Sequence, residues 1–279
     1  MKKTLVKALA MSAIAIALVV ASVLGTMAYF TASSAVSNVF TVGNVGIQMF
    51  ESKVNPDGLL LSMAAGTPIT PATSYNSGMK TADTNSYKLV PGKTYIKDPT
   101  IYVNANSEKS YLFLKVRNDL LTIEAGYTAP TAEQAASFAA STMRAQLEAN
   151  GWRFHHENPG TKVRVYVLCY TEAEATAANN AALKGTPKLV GGTAEQEAYD
   201  TFYTFTLATN SEEALNRFGG ARVDLVAYAI QADGFADDDG YDYSKEFDDP
   251  AYTKVSAVDR AWDAIVDVYP YESGVGANS

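Results

Sequence analysis

Residues Ser110–Asn118, "SYLFLKVRN", alternate strictly: Leu112, Leu114 and Val116 fall on one face, Lys115 and Arg117 on the other. A period of two marks a half-buried β-strand, whose successive side chains point to opposite sides. The pattern returns in "KVRVYVLCY" (162–170), with Val163, Val165, Val167 and Cys169 facing one way and Lys162 and Arg164 the other. Cys169 reads there as a small core residue. Further strands are expected at "TIYVNA" (100–105), "TFYTFTL" (201–207) and "RVDLVAYAIQA" (222–232), the last apolar enough on both faces to lie centrally in a sheet. Half-buried strands dominate, so the expected class is an all-β dominated fold.

Helical patterns interrupt it. In "TAEQAASFAASTMRAQLEANG", Thr131 and Gln134 make a capping-box signature, Phe138, Met143 and Leu147 form an apolar stripe, and Gly151 ends the helix. "TEAEATAANNAALKG" repeats the logic with Thr171, Glu174 and Gly185. Near the C-terminus Val255, Val258, Trp262 and Ile265 recur at helical spacing, which predicts a helix packed by one face on the sheets. From Asn55 to Pro99 the composition shifts to Thr, Pro, Ser, Ala and Gly and reads as loop with one short strand.

The chain of 279 residues opens with Lys2, Lys3 and Lys7, followed by an uncharged run from Ala8 to Met27, with small residues at Thr26 and Ala28. That is the order of a secretory signal, so cleavage is expected between Ala28 and Tyr29. An uncleaved membrane anchor is the alternative, since about twenty apolar residues can span a bilayer. Removing 28 residues leaves 251, read as one domain (29–279) with helix-containing insertions over 118–220. The 22 Lys and Arg, less the three leader lysines, are 19 against 30 Asp and Glu, a balance of −11. Such a surface repels nucleic acid and anionic lipid. With a single cysteine, no internal disulfide can form.

Catalytic signatures are sparse. The two histidines, His155 and His156, are adjacent in "WRFHHENPG"; neighbours diverge on a strand or a helix and cannot easily chelate one zinc, so the pair reads as a solvated loop feature. There is no Gly-x-Ser-x-Gly elbow and no glycine-rich phosphate cradle, so no catalytic residue and no organic cofactor is assigned. The acidic stretch Asp233–Asp249, "DGFADDDGYDYSKEFDD", offers Asp237, Asp239, Asp242 and Glu246 around Gly240 as a calcium candidate. Set as an EF-hand loop with Gly240 sixth, it places Glu246 twelfth but Phe235 first, where an oxygen ligand is needed. A solvated acidic loop fits it better than a metal site.

Three separated segments carry a family resemblance. "GTMAYFTASSAVSNVFTVGNVGIQM" (25–49) resembles the joined signal-cleavage and first-strand segment of the TasA and camelysin family of exported bacterial proteins. "LVPGKTYIKDPTIYVNANSEKSYLFLKV" (89–116) is similar to that family's proline-glycine turn, lysine-aspartate-proline step and following strands, and "VAYAIQADGF" (226–235) to its late strand. The resemblance covers about a third of the chain and is loose over 118–220. It implies a jelly-roll-like β-sandwich, a leader removed by a SipW-type signal peptidase, and a place in the extracellular matrix or on the cell surface as a fibre or layer subunit.

In such filaments the mature N-terminal segment adds a strand to the next subunit. No charged side chain occurs from Ala8 to Phe50, so residues 29–50 could lie in another copy's sheet without stranding a charge. Within that segment Val36, Phe40 and Val42 share one parity and Val45, Ile47 and Met49 the other, the switch falling at Gly43 and Asn44. Phe40, Val42, Val45 and Ile47 are therefore the expected assembly residues. The segment can equally be an ordinary first strand of its own monomer. Some camelysin-like relatives are described as surface metalloproteases, so a protease and a calcium-dependent surface binder are the alternative functions. No Leu-Pro-x-Thr-Gly signal precedes the terminal "ESGVGANS", so retention falls to homo-polymerisation or a matrix partner.

Overall fold

The alternating segment Ser110–Asn118 is a nine-residue strand at the heart of a six-stranded sheet. The computed structural model describes residues 31–42, 45–59, 80–82, 84–90, 92–119, 132–158, 163–207, 222–245, 247 and 249–268. The expected cleavage point at Ala28 and Tyr29, the Gly43–Asn44 switch, the Thr131 cap and Glu246 lie outside these residues.

The strands are β1 (Thr31–Val42), β2 (Ile47–Ser52), β3 (Lys80–Ala82), β4 (Thr84–Lys88), β5 (Thr94–Ile96) and β6 (Thr100–Val103). They continue with β7 (Ser110–Asn118), β8 (Trp152–Asn158), β9 (Val163–Leu168), β10 (Glu197–Asp200), β11 (Thr204–Thr206) and β12 (Val223–Gln231). The helices are α1 (Ala132–Ser141), α2 (Met143–Ala149), α3 (Glu172–Ala177) and α4 (Ala257–Val268).

The large sheet has the order β4-β1-β12-β7-β9-β8 and the small one β10-β6-β2-β3, with β11 and β5 as a separate pair. Every pairing among them is antiparallel except β1 with β12, which is parallel. The two sheets share one core: Leu112, Leu114, Val116, Leu225 and Ala227 from the large sheet meet Met49, Ile101 and Val103 from the small one. This is the expected β-dominated sandwich with helical insertions.

The opposite face of the large sheet is also buried. Phe113, Val165, Val167, Cys169 and Ile230 pack beneath Val258, Ala261 and Trp262 of α4. β12 is buried on both sides for this reason, as its sequence predicts. The expected inward face of β9, with Cys169, thus turns to α4, while Tyr166 and Leu168 fill the inter-sheet core.

Four expectations need correction. The described residues of the stretch 55–99 contain three strands rather than one, because β4 and β5 are short and β4 turns a polar residue, Asn85, inward. The helix expected from Thr171 to Gly185 keeps its capping box but stops at Ala177; Asn179 takes a left-handed φ of 50° and the Asn180 side chain caps a separate 3-10 turn over Ala181–Leu183. The strand at 201–207 shrinks to β11 and is preceded by β10.

The helix over 131–150 is split at Thr142, whose hydroxyl accepts from the Ala145 N–H and starts α2 afresh. Met143 and Leu147 are buried as expected, and the chain leaves α2 through Gly151 at φ 89°. A Cβ there would lie 2.6 Å from the Cys169 carbonyl oxygen.

Candidate functional site: the slot between β4 and β12

The uncharged N-terminal segment is divided between two sheets. Its first part is β1, in register with β12 (Val36 with Leu225, Val42 with Ile230) and with β4 (Thr31 with Lys88, Ala35 with Thr84). The β12 register shifts between Asn38 and Thr41. Of the expected assembly residues, Phe40 and Val42 belong to β1. Val45 and Ile47 do not: they lead into β2 of the small sheet, where Val45 is buried and Ile47 packs against the core. The parity switch read from the sequence therefore marks a crossing from one sheet to the other.

β1 fills a slot whose two walls are held independently of it. β12 pairs with β7 along nine residues and faces core on both sides. β4 is held from its inward face. Tyr87 donates its hydroxyl to the Ile96 carbonyl and Tyr95 donates to the Lys88 carbonyl, while Phe205 stacks on Tyr95 at 5.1 Å and meets Tyr87 edge-on at 5.2 Å. Burial, then the charges of Glu51 and Asp98, push the Tyr87 phenol far up, so it stays a neutral donor.

Beside Tyr87, β4 joins a buried polar cluster. Asn85 Nδ2 donates to Glu51 Oε1 at 2.8 Å and to the Ser52 carbonyl, and Asn85 Oδ1 accepts from the Val54 N–H at 3.1 Å. Lys97 Nζ sits 2.8 Å from Glu51 Oε2, with the two side chains 1% and 0% exposed. Asp98 accepts from the Ser52 N–H and hydroxyl at 2.8 and 2.7 Å. Lysine and glutamate are almost never fully buried unless paired, so this cluster is a specific construction. Sequence reasoning missed Glu51, yet a signal exists: it continues the inward parity of Val45, Ile47 and Met49 and is the first charged residue after Lys7.

The histidines are not in a loop. Both lie in β8, whose register against β9 shifts between Phe154 and His156. The bulge turns His155 under α4, where it is 6% exposed between Phe113, Phe247 and Trp262. Its Nε2 lies 3.1 Å from Asp259 Oδ1, and Nδ1 is buried with no hydrogen-bond partner. Asp259 Oδ2 accepts from the N–H and hydroxyl of Ser256, and Ser256 Oγ in turn accepts from the Asp259 N–H, so the carboxylate caps α4 and ties it to β8.

Several carboxylates of the acidic loop are turned to chain donors. Asp237 Oδ1 accepts from the Tyr243 hydroxyl and the Ala257 N–H, Asp238 from the Val255 N–H and Arg260, and Asp242 from the Ser244 N–H. Asp239 contributes its carbonyl to Lys254. Among the described residues no three His, Cys, Asp or Glu side chains converge as a metal site. Cys169 lines an open groove of about 460 Å³ beside Arg153, Tyr170 and Lys184, but burial pushes its thiol up to about 12 despite the Arg153 charge, which leaves it a poor nucleophile. No helix among the described residues is long and apolar enough to cross a membrane. No protein-family model, no curated protein and no solved structure matches this chain.

Proposed function

We propose that this chain is an exported, non-catalytic structural subunit of an extracellular fibre, matrix or surface layer, and that its N-terminal strand can pass from its own slot into that of a neighbouring copy. One observation carries the reading: a strand without a single charge is paired with β4 along its first part (31–35) and with β12 along its second (36–42), each partner anchored in the body by contacts that do not involve it. A slot of this kind accepts the same strand from either source, and the ladder hydrogen bonds are the same in both.

The rest of the reading follows the resemblance: a jelly-roll-like body, and a SipW-type peptidase that frees Tyr29 so that the segment can leave its own chain. The protease alternative has less support, because His155 Nε2 is committed to Asp259. The calcium alternative is weakened in the same way by the inward-bonded aspartates.

Electron microscopy of the secreted protein, combined with N-terminal sequencing, tests the proposal. Filaments formed by a species beginning at Tyr29 support it. A persistently monomeric mature protein, or one that still carries Lys2, overturns it.

A further inference from the structure

The cluster around Glu51 places an amine, a carboxamide and a proton carrier together in a site closed to water. Lys97 Nζ and Asn85 Nδ2 occupy the two oxygens of the same carboxylate, each at 2.8 Å, while the Val54 N–H points at Asn85 Oδ1. All three side chains are buried, at 1%, 6% and 0% exposed for Lys97, Asn85 and Glu51. We propose that Lys97 and Asn85 join through an amide bond formed within the folded chain, with Glu51 moving the protons and ammonia leaving.

Each atom has a task. In surroundings of low polarity a charged pair costs more than a neutral one, so the Lys97 ammonium gives a proton to Glu51 Oε2 and becomes a free amine. Its lone pair adds to Asn85 Cγ, forming the new C–N bond and moving charge onto Oδ1, where the Val54 N–H receives it as an oxyanion donor. Glu51 Oε1, already on the leaving nitrogen, delivers a proton to Nδ2, and the carboxylate takes up the extra proton from the attacking nitrogen. The Cγ–Nδ2 bond then breaks, and the departing ammonia takes the proton left on Glu51 and leaves as ammonium, so the carboxylate is restored. The sum is an ammonium and a primary amide going to a secondary amide and ammonium, with no oxidation and no cofactor.

The fold supplies the remaining requirements. Tyr87, Met49 and Tyr95, all in the same core, exclude the water that would hydrolyse the carboxamide instead. Asp98, fixed to the N–H and hydroxyl of Ser52, holds the backbone next to Lys97 against β2. The bond would connect β4 of the large sheet to the segment between β5 and β6. It requires folding but no second copy, so it stands apart from the assembly proposal.

Tryptic mapping of the folded wild-type protein tests it. Trypsin should not cut after Lys97. The segments 81–88 and 94–109 should appear as one branched peptide, lighter than the two together by about 17 Da, the mass of ammonia. Lys97→Arg should return three unlinked segments, 81–88, 94–97 and 98–109, since trypsin also cuts after arginine, and Glu51→Gln should slow the cross-link by about a hundredfold or more, because an amide cannot shuttle the proton. Cleavage after Lys97 with an unmodified segment 81–88 from folded wild-type protein overturns the proposal. So does a segment heavier by about 1 Da, which means that water rather than Lys97 reached Asn85. The wild-type map decides the matter by itself if either variant fails to fold.

Discussion

Asp259 shows how much one side chain can do in this fold. It caps α4 through Ser256 and anchors the helix to β8 through His155. Burial works to raise its carboxyl, but the hydrogen bonds from His155 and Ser256 outweigh it and hold the group below its ordinary 3.8. A carboxyl depressed in the folded state contributes stability that is fully present above its unfolded value and is lost as pH falls through the folded one. The melting temperature should therefore drop as pH falls from about 5 to about 3, and Asp259→Asn should flatten that drop while lowering stability near pH 7. Thermal melts of the two proteins across this range check it; equal slopes would remove Asp259 from the acid response. None of this was legible in "WRFHHEN", where two adjacent histidines followed by Glu157 read as a solvated loop. The bulge at His155, which turns a polar side chain into the helix-covered core, leaves no trace in residue type.

Among the elements, legibility followed inward chemistry. β7, β9, β12 and α4 were readable because their buried positions are apolar and regularly spaced. β4 was not, because Asn85 points inward beside Tyr87, and a buried asparagine with partners distant in sequence looks like a turn residue when read alone. α4 depends on Trp262, which packs on Phe113 at 5.1 Å and meets Tyr228 edge-on. Trp262→Ala should cost about 3–5 kcal/mol in denaturant unfolding, since it empties the centre of the helix-covered face. β1 carries the assembly prediction. Deleting residues 29–40 should abolish filaments and leave a folded body with an open slot, and a peptide spanning 29–50 should slow wild-type assembly by occupying that slot. Light scattering follows both; filaments growing at the normal rate after the deletion would exclude strand donation.

At the scale of the molecule, two sheets and a helical cover form a body that would carry −11 if the N-terminal segment with its three lysines is removed as proposed. Like-charged copies repel at long range, so association should quicken as salt rises from about 10 to about 150 mM, where screening shortens the reach of the field from about 30 to 8 Å. Light scattering at matched protein concentrations reads this directly. Calcium should leave the melting temperature unchanged, because Asp237, Asp238 and Asp242 already serve chain donors and a ligand specific to the native state would have to raise it.

The position of β1 also fixes how the molecule answers a pull. β1 is bonded along both edges, parallel to β12 and antiparallel to β4. The β4 ladder holds residues 31–35 and the β12 ladder residues 36–42, so tension applied to the N-terminus along the strand axis loads the rungs of both in shear instead of opening them as in a zipper. Rupture then needs many bonds to fail at once. The same strand drawn sideways, out of the plane of the sheet, would peel rung by rung. Resistance to force in this protein is thus directional, and optical-trap pulling from residue 30 along and across the strand would measure the difference.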